Sequence, residues 1–173
     1  MKFNTKYIAN NLSLRDPQKE SLVIFEKICD VLELKKDINL ESELEKVKAI
    51  CPNLTSFERE FPSICFALAT GIGKTRLMGA LIAYLHYEKG INNFFVMAPN
   101  LPIYDKLKKD FSDPSNPKYV FKGLDAFVNP PRIIDGENYD NYIHTKSVHW
   151  GLNANVTINI FNISKLNTEA GLG

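Results

Sequence analysis

The chain has 173 residues, 45% of them hydrophobic and 24% charged, with a formal net charge of +1. That is enough for one folded domain with a sizeable core, and it fits an ordinary soluble globular protein. The near-neutral balance excludes a strongly basic surface, so any contact with nucleic acid must come from donors placed locally. The odd set Cys29, Cys51 and Cys65 has no CxxC spacing, which argues against a disulfide framework and suits a reducing compartment. The start runs into polar Asn10-Asn11 without the apolar core of a secretory signal, and no apolar run is long enough to span a bilayer. A cytoplasmic protein without membrane contact is expected.

Leu14-Arg15-Asp16-Pro17-Gln18 opens the first readable element. Asp16 is suited to cap a helix with Pro17 at its first position, and Leu22, Phe25, Ile28, Cys29 and Leu32 fall at helical spacing across 18–34. The charged stretch 35–48 keeps a narrow stripe at Leu40, Leu44 and Val47, the mark of a surface helix, which Pro52-Asn53 ends. The short apolar run from Ser63 to Leu68 predicts a buried strand. After a glycine-bearing loop, Leu77, Leu81, Ile82 and Leu85 predict a helix over 76–89 with Gly90 as its stop. Phe94 to Ala98 is a second buried strand, Pro99-Asn100 turns the chain, and a helix follows over about 103–111. Asp113 to Pro117 is a loop. No element is assigned between Tyr119 and Trp150, where Pro130-Pro131 and Asp135-Gly136 interrupt the pattern. Val156 to Phe161 alternates and is rich in β-branched residues, a strand pattern. Strands alternating with helices imply a mainly parallel sheet with helices on both faces.

The loop between the first predicted strand and its helix reads Thr70-Gly71-Ile72-Gly73-Lys74-Thr75. Strand, glycine loop and helix together are the context in which backbone N–H groups turn inward around phosphate oxygens. The helix N-terminus points at the same anion. Lys74 would reach the β- and γ-phosphates of a nucleotide and Thr75 would set its hydroxyl on Mg²⁺. Thr70 through Arg76 are the candidate contacts, with Lys74 and Thr75 carrying the chemistry. One position departs from the pattern G-x-x-x-x-G-K-[ST]: its first glycine is Leu68. The plain alternative is a glycine turn that binds nothing. Arg15 could pair with a phosphate or with a nearby carboxylate.

Ala69-Thr70-Gly71-Ile72-Gly73-Lys74-Thr75 resembles motif I of the superfamily 2, DEAD/DEAH-like helicases, and is most similar in character to the Res subunits of type III restriction enzymes. Leu14 to Gln18 resembles the upstream glutamine motif, in which Gln18 would read the adenine edge. Phe95-Val96-Met97-Ala98-Pro99-Asn100 resembles motif Ia, a strand and proline turn that touches the nucleic-acid backbone. Val156 to Lys165, with Asn162 and Ser164, is similar to the strand and turn before the Walker B region. The resemblance implies a RecA-like P-loop fold, ATP and Mg²⁺ as ligands, and DNA as the track. Pro99, Asn100 and Asn162 become candidate nucleic-acid contacts.

The Asp-Glu pair of motif II occurs nowhere in the sequence. Ile133-Ile134-Asp135-Gly136-Glu137 imitates it, but the Asp-Gly step reads as a turn. The expectation is therefore an incomplete first RecA-like domain: an N-terminal helical segment, 1–62, and the first part of the ATP-binding domain, 63–173, truncated before Walker B. The parent would be an ATP-dependent DNA helicase or translocase. Its partners would be DNA, a second RecA-like domain and a methyltransferase or specificity subunit, while this piece alone would be inactive. Two alternatives stay open: another P-loop enzyme such as a kinase, and a degenerate P-loop adaptor. His144 and His149 read as solvated loop residues rather than zinc ligands. Lys106, Lys108 and Lys109 read as a solvated helix face rather than a phosphate-binding patch.

Overall fold

The computed structural model describes residues 5–139 and 156–163; His144, His149, Trp150, Ser164 and Lys165 lie outside them. Three helices come first: α1 (Thr5–Asn11), α2 (Asp16–Val31) and α3 (Leu40–Lys48). Asp16 is the first residue of α2 and not its cap. Arg15, with extended backbone, takes the cap position. There the chain is closed by reciprocal bonds, Gln18 Oε1 accepting the Arg15 N–H at 2.7 Å and Gln18 N–H donating to the Arg15 carbonyl at 2.9 Å. Asn39 caps α3 by accepting the Ser42 N–H at 3.0 Å, and acids in its first turn with lysines in its last suit the helix dipole.

The longer elements follow. Helix α4 (Lys74–Lys89) runs between two left-handed glycines, Gly73 (φ 92°) and Gly90 (φ 65°). Strand β1 (Asn93–Ala98) leads through Asn100 into α5 (Leu101–Ser112), and Asn100 Oδ1 caps that helix at the Ile103 N–H, 3.0 Å away. A 3-10 turn at Asp125–Phe127 precedes β2 (Arg132–Ile134), and β3 (Thr157–Asn162) ends the described chain. The short β2 falls where the sequence showed only a turn. The turn follows at the Asp135-Gly136 step, where the Asp135 carboxylate accepts the N–H groups of Glu137 and Asn138.

The sheet is parallel throughout, in the order β1-β3-β2, with Phe94 beside Ile158, Ala98 beside Asn162 and Ile134 beside Asn159. One face, carrying Val96, Ala98, Ile158 and Ile160, is buried in a core shared by α1, α2, α4 and α5. Ile8 and Ala9 of α1 and Leu22 and Cys29 of α2 belong to this core. Aromatic rings fill the space beneath α4 and α5, Phe121 stacking on Phe127 at 4.2 Å. Gly79 lets α4 approach that layer, since a Cβ there would lie 2.8 Å from Val120 Cβ. A smaller cluster, including Ile28, Leu32, Val47 and Phe57, seats α3 on the end of α2.

Among the described residues the helices cover this one face. On the other, Phe95 and Met97 stay half exposed, and Phe95 stacks on Phe161 at 5.4 Å.

The strand expected at Ser63–Leu68 is not formed: the segment carries no regular element, and the described sheet consists of three other strands. Its side chains still alternate. Ile64 packs with the α3 cluster, Phe66 meets Phe25 edge-on at 6.3 Å and Leu68 reaches the main core, while Cys65 and Ala67 point outward. The apolar pattern is satisfied by packing on α2. A strand also needs a neighbour for its backbone groups, and no described strand lies beside this one.

Candidate functional site

The loop 69–73 leaves this segment and enters the first turn of α4. Gly71 (φ 81°) and Gly73 (φ 92°) both adopt the left-handed backbone that a side chain disfavours. Gly71 has open space where a Cβ would stand, whereas at Gly73 a Cβ would come within 2.7 Å of Gln18 Nε2. The φ at 73 calls for glycine, and a Cβ there would also have to displace the Gln18 amide. No side chain caps α4. The N–H groups of Lys74 and Thr75, in its first turn, have no intrahelical acceptor and face a position that suits an anion.

Two side chains from outside the loop, those of Gln18 and Arg15, brace it. Gln18, 2% exposed, donates from Nε2 to the Gly73 carbonyl at 2.8 Å while its Oε1 holds the Arg15 N–H. Arg15 Nη1 donates to the Gly71 carbonyl at 3.1 Å. Arg76 turns away from the loop, to the Leu12 carbonyl at the end of α1, at 2.8 Å. These bonds fix carbonyls on the outer side of the turn. Lys74 is exposed and its Nζ rests on the Ala69 carbonyl at 3.2 Å, closing the loop on itself. Thr70 and Gly71 are exposed, and Ile72 and Thr75 are half buried.

Thr75 has a neighbour that the sequence pattern did not single out. Lys106 of α5 donates to Thr75 Oγ1 at 3.2 Å and to Asp110 Oδ2 at 2.5 Å. Asp110 is 3% exposed, and its second oxygen accepts from Asn116 Nδ2 at 3.1 Å. Two residues further along α5, Lys108 bonds Asp135 at 2.6 Å and Glu137 at 3.3 Å. Two of the three lysines read as a solvated face are therefore drawn into ion pairs. Burial works against ionisation of Asp135, but the Lys108 ammonium and the backbone N–H groups of Glu137 and Asn138 outweigh it and hold the carboxyl below its usual range. Burial likewise opposes the charge on Lys108, and its two acidic partners prevail and raise its pKa. Asp135 faces α5 through Lys108, and its other bonds are to Glu137 and Asn138 in its own turn. The i,i+4 spacing of Lys106 and Asp110 was the one signal of this cluster available beforehand.

The candidate nucleic-acid residues separate. Pro99 and Asn100 are exposed at the C-terminal end of β1, though the Asn100 amide oxygen is engaged as the α5 cap. Asn162 is 2% exposed, so its side chain is in the interior.

A glycine-turned loop feeding a helix headed by Lys-Thr, beside a parallel sheet, defines a P-loop NTPase domain. The family described as "Type III restriction enzyme, res subunit" matches residues 11–171, and the chain belongs to that family. Over 74 residues it is 39% identical to the probable type III restriction-modification enzyme HindVIP Res subunit of Haemophilus influenzae, a match covering 39% of this chain and 14% of that relative. The chain thus spans a small part of the length of that Res subunit. No solved structure matches it. No helix of the described residues is long and apolar enough to cross a membrane.

The loop fits a nucleotide's phosphates: it offers open space at Gly71, an uncapped helix head and a lysine held only by a carbonyl. A Mg²⁺ carried in with those phosphates would meet the Thr75 hydroxyl in the first turn of α4. Among the described residues no three His, Cys, Asp or Glu side chains gather as a metal cage. This suits a cation that phosphates and water largely coordinate.

Proposed function

We propose that residues 69–75 bind the phosphates of ATP with Mg²⁺, and that the chain is the nucleotide-binding part of an ATP-dependent DNA translocase or helicase of the Res type. One observation carries the reading: two left-handed glycines at the uncapped head of α4, with Lys74 and Thr75 as its first two residues. ATP with Mg²⁺ would supply the phosphoryl group whose transfer to water drives movement along DNA. In this reading Lys74 Nζ leaves the Ala69 carbonyl for the β- and γ-phosphate oxygens, and the Lys74 and Thr75 N–H groups hold phosphate at the helix head. Thr75 Oγ1 holds the metal. Gln18 and Arg15 keep the outer carbonyls of the turn fixed, so that its inner side stays open to the anion. Gln18 keeps one amide hydrogen and one lone pair beyond its two bonds, the complement needed to address an adenine edge. Pro99 and Asn100, at the exposed end of β1, are the proposed contacts to the DNA backbone. The partners would be DNA, the rest of the parent chain with a second RecA-like domain, and a modification subunit.

The test is calorimetry of ATP and ADP binding to the full chain in Mg²⁺. Lys74→Ala should remove most of the affinity while leaving the circular dichroism spectrum unchanged. Equal binding by both proteins would refute the site. In the same assay, Gln18→Ala should weaken ATP more than GTP if the base contact is made.

A further inference from the structure

Thr75 Oγ1, the metal ligand of the proposed site, is already occupied by a cation that belongs to the protein. Lys106 Nζ lies 3.2 Å from that oxygen and 2.5 Å from Asp110 Oδ2. The two ends of this bridge are unequal. The Asp110 side chain is 4% exposed and the Lys106 side chain 47%. A carboxylate so buried needs its counter-ion, and its other bond comes only from the neutral Asn116 amide. The bond to Thr75 joins a partly solvated ammonium to a neutral hydroxyl and is the weaker of the two. Lys106 can therefore give up Thr75 and keep Asp110.

A Mg²⁺ ion must make it do so. The metal binds oxygen at about 2.1 Å. With Nζ at 3.2 Å from the same oxygen, the two cations would stand within about 5 Å of each other. A hydroxyl that accepts a hydrogen bond from an ammonium also turns a lone pair away from any metal. We propose that Lys106 is a positioning residue that occupies the metal side of the empty phosphate loop, fixing the Thr75 hydroxyl and competing with Mg²⁺ for it, with Asp110 as its anchor. This rests on the reading of Thr75 as the metal ligand. It adds an element outside the loop, α5, to the groups that decide how strongly metal strengthens nucleotide binding.

The experiment measures ADP affinity of the full chain by calorimetry, once in Mg²⁺ and once in EDTA. The quantity read is the ratio of the two dissociation constants, a readout that a purely structural role would leave alone. Lys106→Met should raise the metal-dependent gain about threefold or more, the factor expected for one partly exposed charge-assisted hydrogen bond. The metal-free affinity should stay within about twofold. In a Thr75→Ala background, Lys106→Met should have no effect on the ratio. Lys106→Gln is the companion variant should the Met form fail to fold, and the same rise is expected of it. A ratio unchanged or lowered in a folded Lys106 variant overturns the inference, while continued loss of binding in Lys74→Ala leaves the nucleotide site standing. A tenfold loss of metal-free affinity would also overturn it, since Lys106 would then be a phosphate ligand. Undiminished ADP binding by Lys74→Ala would remove the nucleotide site itself, and this inference with it.

Discussion

Gln18→Glu changes one buried atom pair and little else. The side chain is 2% exposed, its Oε1 accepts from the Arg15 N–H at 2.7 Å, and its Nε2 donates to the Gly73 carbonyl at 2.8 Å. A glutamate keeps the shape and the first bond. In its ionised form it sets an oxygen anion against the carbonyl oxygen, at a buried position. Burial and the facing carbonyl dipole therefore favour the protonated acid, raising the folded-state pKa above the ordinary glutamate value of about 4.3. If the acid keeps its proton to about pH 6.5, the cost at pH 7 is roughly 3 kcal/mol, at about 1.4 kcal/mol per pKa unit. A second route agrees: a lost hydrogen bond of about 1 kcal/mol and an unsatisfied buried carbonyl of about 1–3 kcal/mol. The sign with pH follows from the raised folded value. The penalty is present above the unfolded pKa and disappears as pH falls below it, where the acid is protonated in both states. Urea unfolding of wild type and Gln18→Glu at several pH values between 7 and 4 is the assay. The gap should narrow from about 3 kcal/mol to under about 1 kcal/mol. A variant as stable as wild type at pH 7, or a gap that ignores pH, would refute the placement of Gln18 beneath the loop.

Gly79→Ala should destabilise the protein in a thermal melt by up to about 2 kcal/mol. The helix-propensity gain of about 1 kcal/mol is outweighed by an overpacking cost of about 1–3 kcal/mol, because the new methyl meets Val120 Cβ at 2.8 Å and its carbonyl at 3.2 Å; a higher melting temperature would contradict it. Asp135→Asn should cost about 2 kcal/mol at pH 7 by removing the partner of Lys108. Because the Asp135 carboxyl is held below its ordinary value when folded, its contribution is present above the unfolded pKa of about 3.9 and lost as pH falls through the folded one. The difference between the two proteins, measured by urea unfolding, should therefore shrink below about pH 4. The 173-residue chain on its own should show no DNA-stimulated phosphate release, since its sequence holds no Asp-Glu pair to position metal and water. Turnover that DNA stimulates and Lys74→Ala abolishes would overturn that expectation.

The elements that announce themselves in the sequence are those whose stability is local. Helix α4 lies between two glycines that reappear as its left-handed ends, and α5 begins at the Asn100 cap after a proline turn. Strands β1 and β3 carry runs of apolar and β-branched residues long enough to be unambiguous. What depended on neighbours was harder. The segment 63–68 has the composition of a strand and packs like one, yet whether it becomes one is decided by a partner ladder that its own residues cannot encode. Strand β2 is the converse: three residues beside two prolines show no periodicity, and the ladder with β3 makes them a strand. The loop's glycines and Lys74-Thr75 were visible because the chemistry of phosphate binding is written in contiguous residues. Lys106 and Asp110 were not, because the Lys106 contact with Thr75 crosses 31 residues and exists only once α5 has packed on the sheet.

The phosphate loop is held from two sides by different means, and the difference bears on how it would respond to a ligand. From α2, Gln18 and the adjoining Arg15 bind main-chain carbonyls, of Gly73 and Gly71. Those bonds do not compete with an anion, which uses the opposite, N–H-bearing side of the same peptides, so a nucleotide would leave them intact. From α5, Lys106 binds the one side-chain oxygen that a metal would claim. That bond and a bound Mg²⁺ compete for a single atom. Occupancy would consequently leave the α2 side fixed and act on the α5 side. Helix α5 starts at the exposed Pro99-Asn100 turn and packs on all three strands of the sheet. A change at Lys106, one turn into that helix, is therefore felt close to the turn proposed to meet DNA. Amide exchange localises the effect: with Mg²⁺ and ADP, protection should change across residues 101–112, and less across 16–31. A uniform change in both helices would show that the loop moves as one rigid piece, with no preferred side.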